Sequence, residues 1–190
     1  MIKPRVLQII VIAIVGICLS ACILPVSINA LPPNDLEGLF LDVSEFPEGW
    51  SVDAGGPASS GQAPFGGAEY LEQKSLNFYA EDNVAFQDIR SFRRIVEAGD
   101  EFERQIRIRF REGAEVWVVA GEIHFRSIGA DRYRVACRKE GSSTYCVMVS
   151  QYKFAVISFG ARINSALEYD EFNNLLAIID TRASEYLERP

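Results

Sequence analysis

Tyr133-Arg-Val-Ala-Cys137-Arg-Lys-Glu-Gly141-Ser142-Ser-Thr-Tyr-Cys146-Val-Met-Val149 is the stretch that decides the fold. Both flanks read as strands. Gly141-Ser142 suits the centre of a type II′ turn, which takes glycine first. With those two residues as the loop, Glu140 and Ser143 close the turn through hydrogen bonds. Pairs then alternate outward: Lys139/Thr144 non-bonded, Arg138/Tyr145 bonded, Cys137/Cys146 non-bonded. Partners in a non-bonded pair hold their Cα atoms about 4.5 Å apart, inside the range that a disulfide accepts. The register therefore predicts a Cys137–Cys146 disulfide. Its loop is short, so the chain-entropy contribution is about 2.7 kcal/mol. A zinc site needs more ligands than this pair, and redox pairs are usually spaced CxxC.

Working outward, Asp131–Arg138, Tyr145–Ser150 and Lys153–Phe159 form a three-stranded meander. Upstream, Tyr70–Tyr79 and Val84–Phe92 read as strands joined at Glu81-Asp82-Asn83, the first supported by alternation of Leu76, Phe78 and Ala80. Phe86, Ile89, Phe92 and Ile95 recur every three residues, as a bulged strand or a helix would have them. Glu115–Ala120 and Ile123–Ser127 read as strands or extended segments. Glu97–Glu112 is predicted helical. Phe102, Ile106 and Phe110 form a stripe, acids precede bases as the helix dipole favours, and Asp100/Arg104 and Glu103/Arg107 are i,i+4 pairs. In the last helix Phe172, Leu175, Leu176, Ile179, Ala183 and Tyr186 follow the 3.6 period. Ser165 with Glu168 has capping-box spacing, and Asp170 offers a later start. The expectation is an α+β fold: an antiparallel sheet of five to seven strands packed with two main helices, the C-terminal one long and amphipathic.

The N-terminal third is less regular. Asp35–Val43 suits a short helix capped by Asn34 or Asp35. Phe46-Pro47-Glu48-Gly49-Trp50 suits a type I turn with proline second and glycine fourth, delivering Trp50 into a strand. Residues 54–68 are rich in Gly, Ala, Pro and Ser and carry no charge until Glu69. They read as a mobile surface loop or a recognition loop, with Phe65 as its one residue of binding potential.

The chain opens with Lys3 and Arg5, an apolar run Val6–Ile17 and then Leu19-Ser20-Ala21-Cys22. A basic start and a run of that length suit a secretory leader; a transmembrane helix needs about 20 apolar residues. Leu19-Ser20-Ala21-Cys22 resembles a lipobox, with Cys22 as the lipidated residue. An uncleaved anchor running past Pro25 and cleavage after Ala30 stay open as alternatives. All three place the remainder outside the cytoplasm. The expected organisation is a leader over 1–22, a tether over 23–34 and one globular domain over 35–190. Of the four cysteines, Cys18 leaves with the leader and Cys22 carries lipid, so Cys137 and Cys146 remain as a pair in an oxidising compartment.

The lipobox, Phe46-Pro-Glu-Gly-Trp50, Ala130-Asp-Arg-Tyr133 with Cys137 and Cys146, and Asp180-Thr-Arg182 together resemble a type of bacterial lipoprotein of uncharacterised role. The layout is also similar to extracellular sensor domains of bacterial receptor kinases and to PsbP/Mog1-like lipoproteins. The kinase sensors tend to have two disulfides where this chain has one pair. The resemblance implies a binding or sensing module, held to the extracytoplasmic face of the cell membrane by a lipid anchor.

The net charge of the whole chain is −7, and since Lys3 and Arg5 lie in the leader, the remainder is nearer −9. An acidic domain is a poor match for nucleic acid. His124 is the only histidine, so no His-rich metal site can form. No nucleophile elbow, P-loop, dinucleotide fingerprint or EF-hand loop is present, and no cofactor, metal or catalytic residue is expected. Arg90, Arg93 and Arg94 offer themselves to an anion or to the many acids. Trp50, Phe65 and Trp117 are the candidates for an apolar ligand pocket; core packing is the competing role for both tryptophans. The expected partners are the membrane and a small apolar ligand or an envelope protein.

Overall fold

The computed structural model describes residues 36–53, 59–62, 67–111 and 116–188. The leader, Cys22, the tether and Phe65 lie outside the described residues. Strands β1 (Ser51–Asp53), β2 (Ser59–Gln62), β3 (Glu69–Ala80), β4 (Asn83–Ser91), β5 (Arg132–Glu140), β6 (Ser143–Tyr152) and β7 (Ala155–Ile163) form one antiparallel sheet. Its order is β1-β3-β4-β7-β6-β5, and β2 shares the outer edge of β3 with β1. Helices α1 (Ile95–Arg109) and α2 (Tyr169–Glu188) cover opposite faces. The class is α+β, as the sequence patterns predict.

Three two-residue loops set the registers: Glu81-Asp82, Gly141-Ser142 and Lys153-Phe154. In each, the first loop residue takes a left-handed φ, at +46°, +61° and +47° respectively. The β5–β6 pairs fall as predicted, Glu140 on Ser143 and Cys137 on Cys146. The disulfide forms across Cα atoms 4.0 Å apart. The meander then folds back so that β7 enters between β6 and β4, from Ala85/Ala161 to Ser91/Ala155.

Because side chains alternate, each strand sends one parity to each helix. Phe78, Ile89, Cys137, Met148, Ile157 and Phe159 face α2, which answers with Phe172, Leu175, Leu176, Ile179 and Ala183. Phe46 stacks on Phe78 (4.4 Å between centroids) and packs tilted against Trp50 (4.9 Å), extending this core to the N-terminal segment. Ala136, Val147, Val149 and Val156 face α1 and pack with Phe102 and Phe110.

The α1 face is also charged. Glu101 is fully buried and binds Arg90 (2.5 Å), Arg104 (2.5 and 2.6 Å) and Gln105 (2.6 Å). Arg90 also reaches Asp88 (3.3 Å), which accepts from Gln73 and Ser75. The ion pairs expected along the helix surface are replaced: Glu101 takes Arg104, and Glu103 takes Arg132 of β5 (3.0 Å). The sheet supplies the reason, since Arg90 on β4 draws Glu101 inward.

Other segments depart from expectation. Asp35–Val43 is not one helix but two 3₁₀ turns, Glu37–Leu39 and Val43–Glu45. Leu39, Phe40 and Leu41 are all buried, which a single amphipathic helix turn cannot arrange. The Gln87 side chain clamps them, donating to the Leu39 carbonyl and accepting from the Leu41 amide. Gly49 takes φ +94°, the third-position value of a type II turn, so the turn runs Pro47–Trp50 instead of the expected type I. The 54–68 segment contains strand β2. β4 is a regular strand, with Ile89 on the α2 face and Phe86 and Phe92 toward the α1 side; the threefold recurrence was neither bulge nor helix. The last helix starts at Tyr169, where the Glu168 amide donates to Glu171. Ser165 lies in a separate turn closed by Asn164 and Leu167.

Burial alone would raise the Glu101 carboxyl, but bonds from Arg104 and Gln105 and the Arg90 and Arg104 charges hold it below the ordinary 4.5. A lowered folded-state pKa adds stability above the unfolded value and loses it as pH falls through the folded one. Glu101→Ala, which leaves two buried guanidiniums short of a partner, is expected to cost about 3–5 kcal/mol in denaturant unfolding. Glu101→Gln is expected to flatten the loss of stability below about pH 4.5.

Candidate functional site

Between α1 and β5 the chain runs as a strap over residues 116–131. Near its start it pairs with β5: the Val118 amide donates to the Cys137 carbonyl (2.9 Å) and the Cys137 amide to the Val118 carbonyl (2.7 Å); at its end the Asp131 amide donates to the Gln151 carbonyl of β6 (2.9 Å). Of 115–120 and 123–127, expected as strands or extended segments, the described residues form no named strand, and Val118 pairs in an isolated bridge.

Helix α2 holds the rest of the strap. Asn173 donates to the Glu122 carbonyl and accepts from the His124 and Phe125 amides. Two turns further, buried Asp180 accepts from Ser127 Oγ (2.5 Å), the Ile128 amide (2.8 Å) and Tyr152 OH (2.8 Å). Burial, then the bond to Asp180, raises the Tyr152 phenol well above its usual value and keeps it a donor. A Cβ on Gly129 would stand 1.6 Å from Ser184 Oγ, so only glycine lets the strap lie this close to α2. The sequence carried a signal for these latches. Asn173 and Asp180 are polar residues seven apart, one helix face under the 3.6 period.

A cavity of about 460 Å³ opens where the hairpin projects past the first residue of α2. Its floor is Cys137 and Thr144, its walls are Val116, Val118 and Ala120 on one side and Tyr169 on the other, and Glu122, Arg138 and Lys139 stand at its margin. Lys139 Nζ donates to Thr144 (3.0 Å) and Arg138 pairs with Glu140 (2.5 Å). The arrangement offers an apolar slot with charged groups at its mouth. A second concavity of about 420 Å³, by the start of α1, has acids Asp100, Glu103 and Asp131. Glu103 is committed to Arg132 there, and Asp131 accepts the Lys153 amide (2.6 Å).

The three candidate pocket residues do not meet as expected. Trp50 is a core residue on the α2 face, with its indole N–H on the Ala166 carbonyl (2.9 Å). Trp117 packs on the α1 face, edge-on to Phe110 (5.1 Å) and under the Arg138 guanidinium (5.0 Å). The sheet separates them, and Phe65 is outside the described residues. Its neighbours Val116 and Val118 line the cavity, and Trp117 does not. His124 is an exposed strap residue. Arg90 and Arg94 pair with acids, Arg94 with Glu97 (2.7 Å). Among the described residues no group of three or more His, Cys, Asp or Glu could hold a metal, and no helix is long and apolar enough to cross a membrane.

No family model matches the chain, and no curated protein is significantly similar to it.

Asp180→Ala removes the acceptor of two strap bonds and of Tyr152. It is expected to cost about 1.5–3 kcal/mol, and hydrogen exchange should speed most at Ser127–Ala130. Uniform acceleration across α2 and the sheet would show that Asp180 does not act through the strap.

Proposed function

We propose that this protein is a lipid-anchored binding or sensing module without catalytic activity, held at Cys22 on the extracytoplasmic face of the cell membrane. The 460 Å³ cavity lined by the disulfide-bonded Cys137 carries the reading. It is of ligand-pocket size, and aliphatic and aromatic side chains wall it, as small apolar ligands require. A disulfide beneath the site fits an oxidising compartment, and a pocket beside an edge strand fits the resemblance to sensor-type lipoproteins.

A structural envelope role is the second reading. It is favoured by Val116, Val119 and Ile128, which are 76, 70 and 87 % exposed. A carboxylate-dependent hydrolase has less support, since Glu103 and Asp131 in the acidic concavity already serve as structural acceptors.

Native mass spectrometry of the full chain released from its own envelope tests the reading. Wild type is expected to retain an apolar adduct, and Ala120→Phe, which fills the cavity from the strap side, to lose it without loss of folding. A wild type that carries no adduct overturns the ligand assignment. Separately, Cys22→Ala is expected to abolish incorporation of labelled palmitate and release the domain from membranes.

A further inference from the structure

The strap presents a second, unused edge. Val118 turns both of its backbone groups toward Cys137. In an extended chain the neighbours Trp117 and Val119 therefore turn theirs the opposite way, away from β5. Among the described residues neither amide nor carbonyl of Trp117 or Val119 has a hydrogen-bond partner. Val116, Val118 and Val119 are 76, 53 and 70 % exposed. Residues 116–120, Val-Trp-Val-Val-Ala, carry no charge, proline or glycine. Native sheet edges normally carry a lysine, a proline or a bulge that discourages pairing; this one carries none.

We propose that Trp117-Val118-Val119 is a self-association edge, pairing antiparallel with the same segment of a second copy about a two-fold axis at Val118. The segment is complementary to itself. Centring the axis on Val118 sets Trp117 opposite Val119 of the second copy, twice over. Both are residues whose backbone groups face outward, so each pair exchanges two hydrogen bonds. A register one residue off would set the committed groups of Val118 against free ones. Trp117 against Val119 is an aromatic/β-branched cross-strand pair, a favourable type, and Val118 meets Val118. Charge favours this site too. A chain of net charge −7 repels its own copies over most approaches, whereas this strip is uncharged. The axis is normal to the sheet, so the two cavities lie on one face and adjoin. One strand pair is a small interface, so the association is weak and reversible. Neither the lipid anchor nor a ligand in the cavity enters this inference, so a monomeric protein would leave the binding reading intact.

Sedimentation velocity of the full chain in a density-matched detergent, from about 1 to about 100 μM, spans the range of a weak interface. Wild type is expected to show a reversible monomer–dimer equilibrium. Val119→Pro deletes one outward amide and spares the Val118–Cys137 pair. It is expected to raise the dissociation constant at least about tenfold with an unchanged unfolding temperature. If that variant misfolds, Val119→Lys is measured instead, with the same expected weakening. A wild type that stays monomeric throughout leaves the strip to another protein's strand or to none, and overturns the proposal. So does a folded Val119 variant that dimerises like wild type.

Discussion

The burial relations of the β5–β6 hairpin, which carries the disulfide and the cavity, depend on the two-residue loop at Gly141-Ser142. With Glu140 set against Ser143, odd residues of β5 and even residues of β6 turn toward α2. A one-residue slip would reverse this parity. Arg134 and Arg138 would then enter the core of Met148, Phe159 and Phe172, and Val135 and Cys137 would leave it. In the observed register the arginines of β5 stay on the other face. There Arg132, Arg134 and Arg138 lie over Phe102, Phe110 and Trp117 at 4.9, 4.6 and 5.0 Å from the ring centroids. Burying the aliphatic stem against a ring while the charged group keeps polar partners suits arginine. The disulfide locks a register that turn geometry and burial already favour.

The two faces are held by different means. α2 binds through an apolar stripe, tolerant of small shifts but dependent on packing. α1 binds through a smaller apolar patch and the buried carboxylate of Glu101. A buried ion pair contributes little net stability once desolvation is counted, yet removing one partner is costly. Such a contact therefore discriminates strongly among placements of α1, because Glu101 must come against Arg90 of β4. That placement also determines where the chain leaves α1 and enters the strap, and so where the cavity wall stands.

The cavity and the free edge have one origin. The β5–β6 hairpin is longer than the cover that α2 provides, since the helix begins only at Tyr169. The strap crosses the uncovered end and, among the described residues, bonds its backbone there to Cys137 alone. On its inner side it leaves a slot over the disulfide. On its outer side it leaves the backbone groups of Trp117 and Val119. Asn173 and Asp180 hold its far end to α2, so the strap is anchored at both ends of this span.

Short-range regularities were legible in the sequence because their causes are local. The hairpin, the Cys137–Cys146 pair, β3 with β4, both helices and the α+β class follow from turn chemistry and from periods of 2 and 3.6 residues. Misreadings arose where distant residues decide the local state. The 3₁₀ turn ends at Leu39 and Phe40 is extended where Gln87, more than forty positions away, supplies hydrogen bonds to the Leu39 carbonyl and the Leu41 amide. Glu101 leaves its surface pairs because Arg90 waits on β4. Trp50 and Trp117 resemble each other as candidates for an apolar pocket or for the core, but they pack on opposite faces of the sheet. The strap's role is invisible in Val116–Ala120 itself, which has the composition of any strand. Which of its hydrogen bonds are used depends on where the sheet ends, and the sheet's end is set by the insertion of β7 between β4 and β6. The sequence by itself determined the elements and the pairing of cysteines, through interactions spanning fewer than about ten residues. Only the tertiary structure decided the cavity, the latches on α2 and the unused edge, because each depends on which elements cover which surfaces.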